Sequence, residues 1–279
     1  VTRLDISGLG INVEIAGSGP PLVLLHGFTG SAAGWRPLTD LWPGFTTIAI
    51  DLVGHGQSDS PKDVERYRMQ ACVDEIAGAL DALAIGRAAM LGYSMGGRTA
   101  LHFALRHPER LTALILESGS AGYSDPRERA ERVKSDEALA ERIETEGLDA
   151  FVAYWQSLPL WASQAALSVE RRRALREQRL RNSTTGLANS LRGMGAGAQE
   201  PVMERLGEIR VPTLFMAGSL DARYAELARD MSTRVARSEI EIIEDAGHAA
   251  HLEQPVAFSD AVRSFLERVP TTTTTAREA

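Results

Sequence analysis

The sequence predicts an α/β fold: a mostly parallel sheet with helices on both faces and a helical lid inserted after the strand Leu111–Leu116. Three observations carry that expectation. Apolar, β-prone runs alternate with helical periodicity from Pro21 to Leu116 and again from Thr213 onward, as a parallel sheet with helical crossovers requires. Gly92-Tyr93-Ser94-Met95-Gly96 joins one such run to one such helix. Between Gly122 and Pro201 only helical patterns are found.

Taken in order, Leu4–Ser7 and Ile11–Ala16 alternate around Gly8-Leu9-Gly10 and read as an edge hairpin. Pro21–Leu25 is a continuous apolar run, typical of a parallel strand buried on both faces. It ends in His26-Gly27-Phe28-Thr29-Gly30-Ser31, followed by a short helix around Trp35–Leu41 and a strand at Thr47–Asp51. A glycine-rich loop runs on to Ser58, and Met69–Leu83 carries Ile76, Leu80 and Leu83 at helical spacing. The run Ala88–Leu91, the helix Thr99–Arg106 and the strand Leu111–Leu116 follow. The insertion holds helical patterns at Asp125–Ile143, Leu148–Ser157, Val169–Arg181 and Thr185–Met194. The alternation resumes with strand Thr213–Met216, helix Ala222–Met231, strand Glu239–Ile243 and helix Pro255–Val269, with proline at its start. The organisation is a core of residues 1–121 and 201–270, a lid of 122–200, and a threonine-rich tail, 271–279, read as disordered or as an expression remnant.

Bulk properties narrow the function. With 279 residues, 44% hydrophobic and 24% charged, the chain suits one large globular domain with an insertion. No apolar run approaches the ~18 residues of a membrane span, and Val1-Thr2-Arg3-Leu4-Asp5 has no signal-peptide core. A single cysteine, Cys72, excludes an internal disulfide and points to a reducing, cytoplasmic compartment, with the thiol buried on a helix. The net charge of −7 argues against nucleic acid or an anionic membrane surface as partner. No spacing suggests a metal site or a phosphate-cradling loop, so no cofactor is implied.

The strand–turn–helix context of Gly92-x-Ser94-x-Gly96 is that of a nucleophile elbow, which lifts its serine above the sheet. A serine hydroxyl needs a histidine to take its proton and a carboxylate to orient that histidine. Such partners follow in the order Ser, acid, His, on loops after later strands. Asp221 follows Thr213–Met216, and His248 follows Glu239–Ile243. Glu117 is the alternative acid and His251 the alternative histidine. His26 and His55 read as loop braces, His102 and His107 as structural, and Asp245 as a surface residue. The oxyanion hole then falls to the backbone amides of Phe28 and Met95.

Arg98 lies one helical turn beyond Ser94, where a small residue would suffice. Residues 169–181 add Arg171, Arg172, Arg173, Arg176, Arg179 and Arg181. Most of these read as a solvated helix face, but arginines on the lid and beside the serine suit a small substrate with several carboxylates. Trp155 and Trp161 flank Pro159 and are either lid core or pocket wall.

Five segments give a more specific likeness: Leu25-His26-Gly27-Phe28-Thr29-Gly30-Ser31, Gly92 to Arg98, Arg132-Val133-Lys134-Ser135-Asp136, Leu180-Arg181-Asn182 and Gly247-His248-Ala249-Ala250-His251. On these the chain resembles, over nearly its whole length, the α/β-hydrolase fold, and within it the 2-succinyl-6-hydroxy-2,4-cyclohexadiene-1-carboxylate synthases of menaquinone or phylloquinone biosynthesis. The resemblance implies substrate contacts at Tyr93, Arg98, Arg132, Trp155, Trp161 and Arg181, with Arg179 as the competitor for Arg181. It also implies a lyase that eliminates pyruvate without water. Two rivals stand beside it: a serine hydrolase of esters or of carbon–carbon bonds in acidic diketones, and a non-catalytic binding protein on the same fold.

Overall fold

The computed structural model describes residues 1–269. Its strands are β1 (Thr2–Ile6), β2 (Leu9–Gly17), β3 (Pro21–Leu25), β4 (Thr46–Ile50), β5 (Ala88–Tyr93), β6 (Leu111–Glu117), β7 (Thr213–Gly218) and β8 (Ser238–Ile243). They form one sheet in the order β1-β2-β4-β3-β5-β6-β7-β8. Ser7 and Gly8 both take positive φ, 53° and 77°, giving the tight turn whose twist matches a hairpin. That hairpin, β1 with β2, is the edge; β2 pairs antiparallel with β4, and every later pairing is parallel.

The helices of the first half are α1 (Arg36–Thr39), α2 (Met69–Ala82) and α3 (Met95–Arg106). The sheet's two faces explain why its strands read as unbroken apolar runs. Val23, Leu25, Ile48 and Met90 pack beneath α2 and α3, whereas Leu22, Leu24, Leu91 and Ile115 pack against Trp35, Trp42, Phe258 and Val262. Each such side chain stabilises the fold by about 1.5–3 kcal/mol on burial. Cys72 is buried on α2, as its sequence context suggests. The helix expected around Trp35–Leu41 is a 3₁₀ turn, Ala32–Trp35, leading into the four-residue α1.

The insertion follows β6 and consists of α4 (Pro126–Ser157), α5 (Val169–Arg179) and α6 (Thr184–Met194), with a 3₁₀ stretch at Pro159–Ala166. Gly147, at φ 80° and ψ 171°, splits α4 into two helices across a kink. This is the gap the sequence leaves between Ile143 and Leu148. The lid has its own core of Ile143, Phe151, Val152, Leu187 and Leu191. Arg192 ties α6 to α4 through Glu137 and Glu144, each at 2.7 Å. The chain then returns through β7 to α7 (Ala222–Ser232), β8, the short α8 (Ala250–Glu253) and α9 (Pro255–Glu267). No helix among the described residues is long and apolar enough to cross a membrane. The tail expected at 271–279 lies outside the described residues.

The elbow is built by close backbone approach. A Cβ at Gly92 would fall 2.2 Å from the Gly96 carbonyl oxygen, and one at Gly96 would fall 2.2 Å from the oxygen of Leu25. A Cβ at Gly27 would meet the Tyr93 ring at 2.6 Å. Two of these obstructions are backbone, which a rotamer change cannot relieve. Gly96→Ala is therefore expected to cost about 1–3 kcal/mol or more, read as a lower urea midpoint with an unchanged m-value.

Candidate active site

Ser94 joins β5 to α3 at φ 51°, ψ −106°, a conformation that a residue with a side chain holds only when its surroundings enforce it. Its N–H donates to the Glu117 carbonyl at 2.8 Å, which fastens the elbow to the end of β6. The hydroxyl lies 3.0 Å from His248 Nε2, and His248 Nδ1 lies 2.7 Å from Asp221 Oδ2. Asp221 also caps α7, its other oxygen accepting from the Tyr224 amide at 3.4 Å. With Nδ1–H donated to Asp221, Nε2 is left to accept the serine proton, which is the geometry of an activated nucleophile or base.

The other acid and histidine that the sequence left open are paired with each other. His251 donates to the Glu117 carboxylate from its amide at 3.0 Å and from Nδ1 at 2.9 Å, both residues being buried. His26 donates Nδ1–H to the Gly27 carbonyl and accepts from the Leu52 amide at Nε2, bracing two loops. Burial pushes His55 down to about 3 and, with the nearby Arg98 charge, His102 down to about 4. Both are therefore neutral across the ordinary pH range. His107 sits 3.1 Å from Asp74, and Asp245 is exposed.

Met95 opens α3, so its amide has no acceptor within the helix. The Phe28 amide donates to no acceptor among the described residues. Both residues line a cavity of about 420 Å³ above Ser94 and His248. Tyr93, Trp155 and Trp161 also line it, and the tryptophans serve as both wall and lid packing. Trp155 meets Phe28 edge-on at 5.4 Å, and Trp161 meets His248 at 5.5 Å.

Arg98 lines this cavity, held by the Met194 carbonyl at 2.7 Å and Gln199 Oε1 at 2.8 Å. It makes no ion pair among the described residues. Burial pushes its guanidinium down to about 10, which still leaves it cationic near neutrality. Arg132 also lines the cavity, anchored to Asp136 through Nε and Nη2, both at 2.8 Å. Burial pulls Arg132 down, but the hydrogen bond and charge of Asp136 together hold it above its ordinary value.

Arg181 is the exception. It is exposed and lines a separate outer groove with Arg36, Pro37 and Arg171. Arg179, at the end of α5, is buried instead, 5.3 Å from the Trp161 ring centroid, and it does not line the Ser94 cavity. Two residues near a helix end differ by more than half a turn, so an uncertainty of that size reverses which arginine faces inward. Sequence reasoning missed Arg142, which lines the cavity with its guanidinium 3.9 Å from the centroid of Tyr154. It also missed Tyr224, whose ring meets His248 at 4.5 Å. Tyr224 was recoverable: Asp221 reads as an N-cap, which sets Tyr224 in the first turn beside it. Gln199 carried no signal.

A sheet of this topology with Ser, Asp and His on the loops after β5, β7 and β8 defines an α/β hydrolase, and a family model of the alpha/beta hydrolase fold matches residues 20–255. Within that fold the chain belongs to the 2-succinyl-6-hydroxy-2,4-cyclohexadiene-1-carboxylate synthase family. A Bacillus subtilis (strain 168) protein provisionally given that name is 41% identical over 93% of this chain and 96% of its own length. The Serratia proteamaculans (strain 568) synthase is 33% identical over 88% of this chain and 93% of its own. Among solved structures, MenH from S. aureus superposes with a TM-score of 0.88 at 32% identity, covering 91% of this chain and 97% of its own. A thermophilic esterase from Thermogutta terrifontis, solved with malate bound, reaches 0.86 at 28% identity, covering 96% and 99%. The fold therefore hosts hydrolysis as well, and the cavity must discriminate.

The two histidine-paired acids give opposite expectations. Asp221→Ala should lower kcat on the order of 10²–10⁴-fold, as loss of an acid–base relay does. Glu117→Gln should keep kcat within about tenfold while lowering the unfolding midpoint, because it weakens only a buried hydrogen-bonded pair. Steady-state kinetics beside urea titration separate the two.

Proposed function

We propose that this chain is a 2-succinyl-6-hydroxy-2,4-cyclohexadiene-1-carboxylate synthase. In this reading it eliminates pyruvate from 2-succinyl-5-enolpyruvyl-6-hydroxy-3-cyclohexene-1-carboxylate. The observation that carries the reading is Arg98: a partly buried guanidinium one turn from Ser94, lining the cavity, with no carboxylate partner of its own among the described residues. A cation partly withdrawn from water without a counter-charge is disfavoured, and a substrate carboxylate offsets that cost. Arg132 and Arg142 add two more guanidinium groups to the same cavity. Three carboxylates on the substrate and three arginines on the wall are complementary, bidentate geometry being arginine's strength. The aromatic walls, Trp155 and Trp161, give the carbocycle an apolar surface to lie against.

In this reading Ser94 acts as a base rather than as an acyl acceptor. Its oxygen removes the ring proton α to the succinyl ketone while His248 Nε2 takes the serine proton and Asp221 holds the imidazolium. The enolate oxygen rests on the Phe28 and Met95 amides. Collapse of the enolate through the ring double bond expels the enolpyruvyl group, which leaves as pyruvate. No water is consumed. Tyr93 and Tyr224, flanking His248 at 5.6 and 4.5 Å, close the sides of the relay. The lone buried thiol of Cys72 supports a reducing compartment, the cytoplasm, for this reaction.

The test is pyruvate release from the enolpyruvyl cyclohexene substrate, with p-nitrophenyl esters as the contrasting assay. Brisk ester cleavage without pyruvate would assign the chain to the hydrolases instead. Ser94→Ala should lose on the order of 10²–10⁴-fold in kcat. Arg98→Ala and Arg132→Ala should each raise KM, by about 10–150-fold for about 1.5–3 kcal/mol of charge-assisted hydrogen bonding. Arg181→Ala, outside the cavity, should leave KM unchanged; a KM rise there equal to that of Arg98→Ala would return Arg181 to the site.

A further inference from the structure

Tyr224, the third residue of α7, stands beside the proton relay. Asp221 fixes its backbone by accepting its amide at 3.4 Å, and its ring meets His248 edge-on at 4.5 Å. Packing against the imidazole needs only an aromatic ring, so the hydroxyl is surplus to that contact. Tyr224 also lines the Ser94 cavity, and its hydroxyl makes no hydrogen bond among the described residues and is not sealed from solvent. The neighbouring Arg223 is engaged elsewhere, donating to the Tyr123 hydroxyl at 3.0 Å. Burial raises the Tyr224 phenol above its ordinary value, so the hydroxyl keeps its proton and is available as a donor. After burial, Arg98 is the strongest charge acting on Tyr224, and Tyr224 is the strongest such influence on Arg98. The two side chains are neighbours on one wall of the cavity.

Arg98 spends only Nη1 on its two neutral acceptors, the Met194 carbonyl and Gln199 Oε1. Its Nε and Nη2 make no hydrogen bond among the described residues, which leaves one edge of the guanidinium for a carboxylate. A carboxylate accepts at about four sites, and a side-on arginine fills about two of them. The adjacent phenol is placed to fill another. We propose that Tyr224 is a specificity-determining residue of the Ser94 cavity, its hydroxyl donating to the same substrate carboxylate that Arg98 holds. An ester or amide in that place offers fewer acceptors and no charge, so the pair selects a carboxylate. The ring meanwhile keeps its contact with His248, so one side chain borders both the proton relay and the recognised group. This assignment rests on the reading of Arg98 as the seat of a substrate carboxylate.

The experiment compares the whole chain with its Tyr224→Phe, Arg98→Ala and doubly substituted variants on the enolpyruvyl cyclohexene substrate. Tyr224→Phe keeps the ring against His248 and removes only the donor. It should raise KM about tenfold, as loss of one hydrogen bond to a charged acceptor does, with kcat within about twofold and its pH profile unmoved. Because the two donors share one carboxylate, the same substitution should raise KM by less than about threefold in the Arg98→Ala background. Tyr123→Phe, whose hydroxyl faces Arg223, should leave KM unchanged. An unchanged KM in Tyr224→Phe would overturn the proposal, as would a fall in kcat alone or an effect of full size without Arg98. If the wild-type chain releases no pyruvate, the synthase reading falls separately and Tyr224 is judged on ester cleavage. Tyr224→Phe should then lower kcat/KM about tenfold for mono-4-nitrophenyl succinate, which carries a free carboxylate, and leave 4-nitrophenyl acetate unchanged. Equal effects on the two esters would overturn the assignment.

Discussion

The structure depends on how closely the elbow lies against the end of β3. Gly92 and Gly96 let the turn fold on itself and press to van der Waals distance of the Leu25 carbonyl, and Gly27 leaves room for the Tyr93 ring. That approach brings the Met95 amide and the Phe28 amide to one cavity and forces Ser94 into its positive-φ conformation. Asp51 holds the same neighbourhood from below. Its buried carboxylate accepts from the Ala32 amide at 2.6 Å, the Gln57 amide at 2.8 Å and Asn12 Nδ2 at 2.8 Å, so the loops after β3 and β4 are tied to a single side chain. Preorganised donors of this kind are worth most where water is excluded.

Electrostatics at the site run opposite to those of the whole molecule. The chain carries a net charge of −7, yet three guanidinium groups line one cavity and only Arg132 and Arg142 have carboxylate partners, Asp136 and Glu146. Those partners fix direction: Asp136 is itself held by the Gly197 amide at 3.2 Å, so Arg132 cannot swing out with solvent. Arg98 is instead positioned by neutral acceptors, Met194 and Gln199, and keeps its charge uncompensated. Positioning by neutral groups leaves the cation available to an incoming anion, whereas positioning by a carboxylate partly spends it.

Much of this was legible in the sequence because it is encoded locally. The elbow, the order Ser94, Asp221, His248 and the return of strand–helix alternation at Thr213 all follow from short patterns with fixed geometry. Even the break at Gly147 appears as a gap in helical periodicity. Choices that depend on tertiary approach were less legible. Glu117 ends β6 and Asp221 lies just past β7 at the start of α7, so both follow a strand and pattern alone does not tell which meets His248; His251 is withdrawn from the site by its buried partner, Glu117. Arg179 and Arg181 differ by two residues at a helix end, where rotation, not composition, decides which points inward. Arg142 reads as an ordinary i,i+4 partner of Glu146 and gives no hint that its guanidinium also borders a cavity.

The lid's private core of Ile143, Phe151, Val152, Leu187 and Leu191, with Arg192 clasping α4 to α6, has a consequence for ancestry. Residues that hold each other together can be inherited together. The sheet and the loops that carry Ser94, Asp221 and His248 form one heritable block and the insertion another, joined after β6 and before β7. Recombination at those two joints would exchange the insertion's share of the cavity wall, Arg132, Arg142, Trp155 and Trp161, while leaving Arg98, Ser94, Asp221 and His248 in place. Trading that cassette alone would change part of what the cavity recognises and leave the core's share untouched.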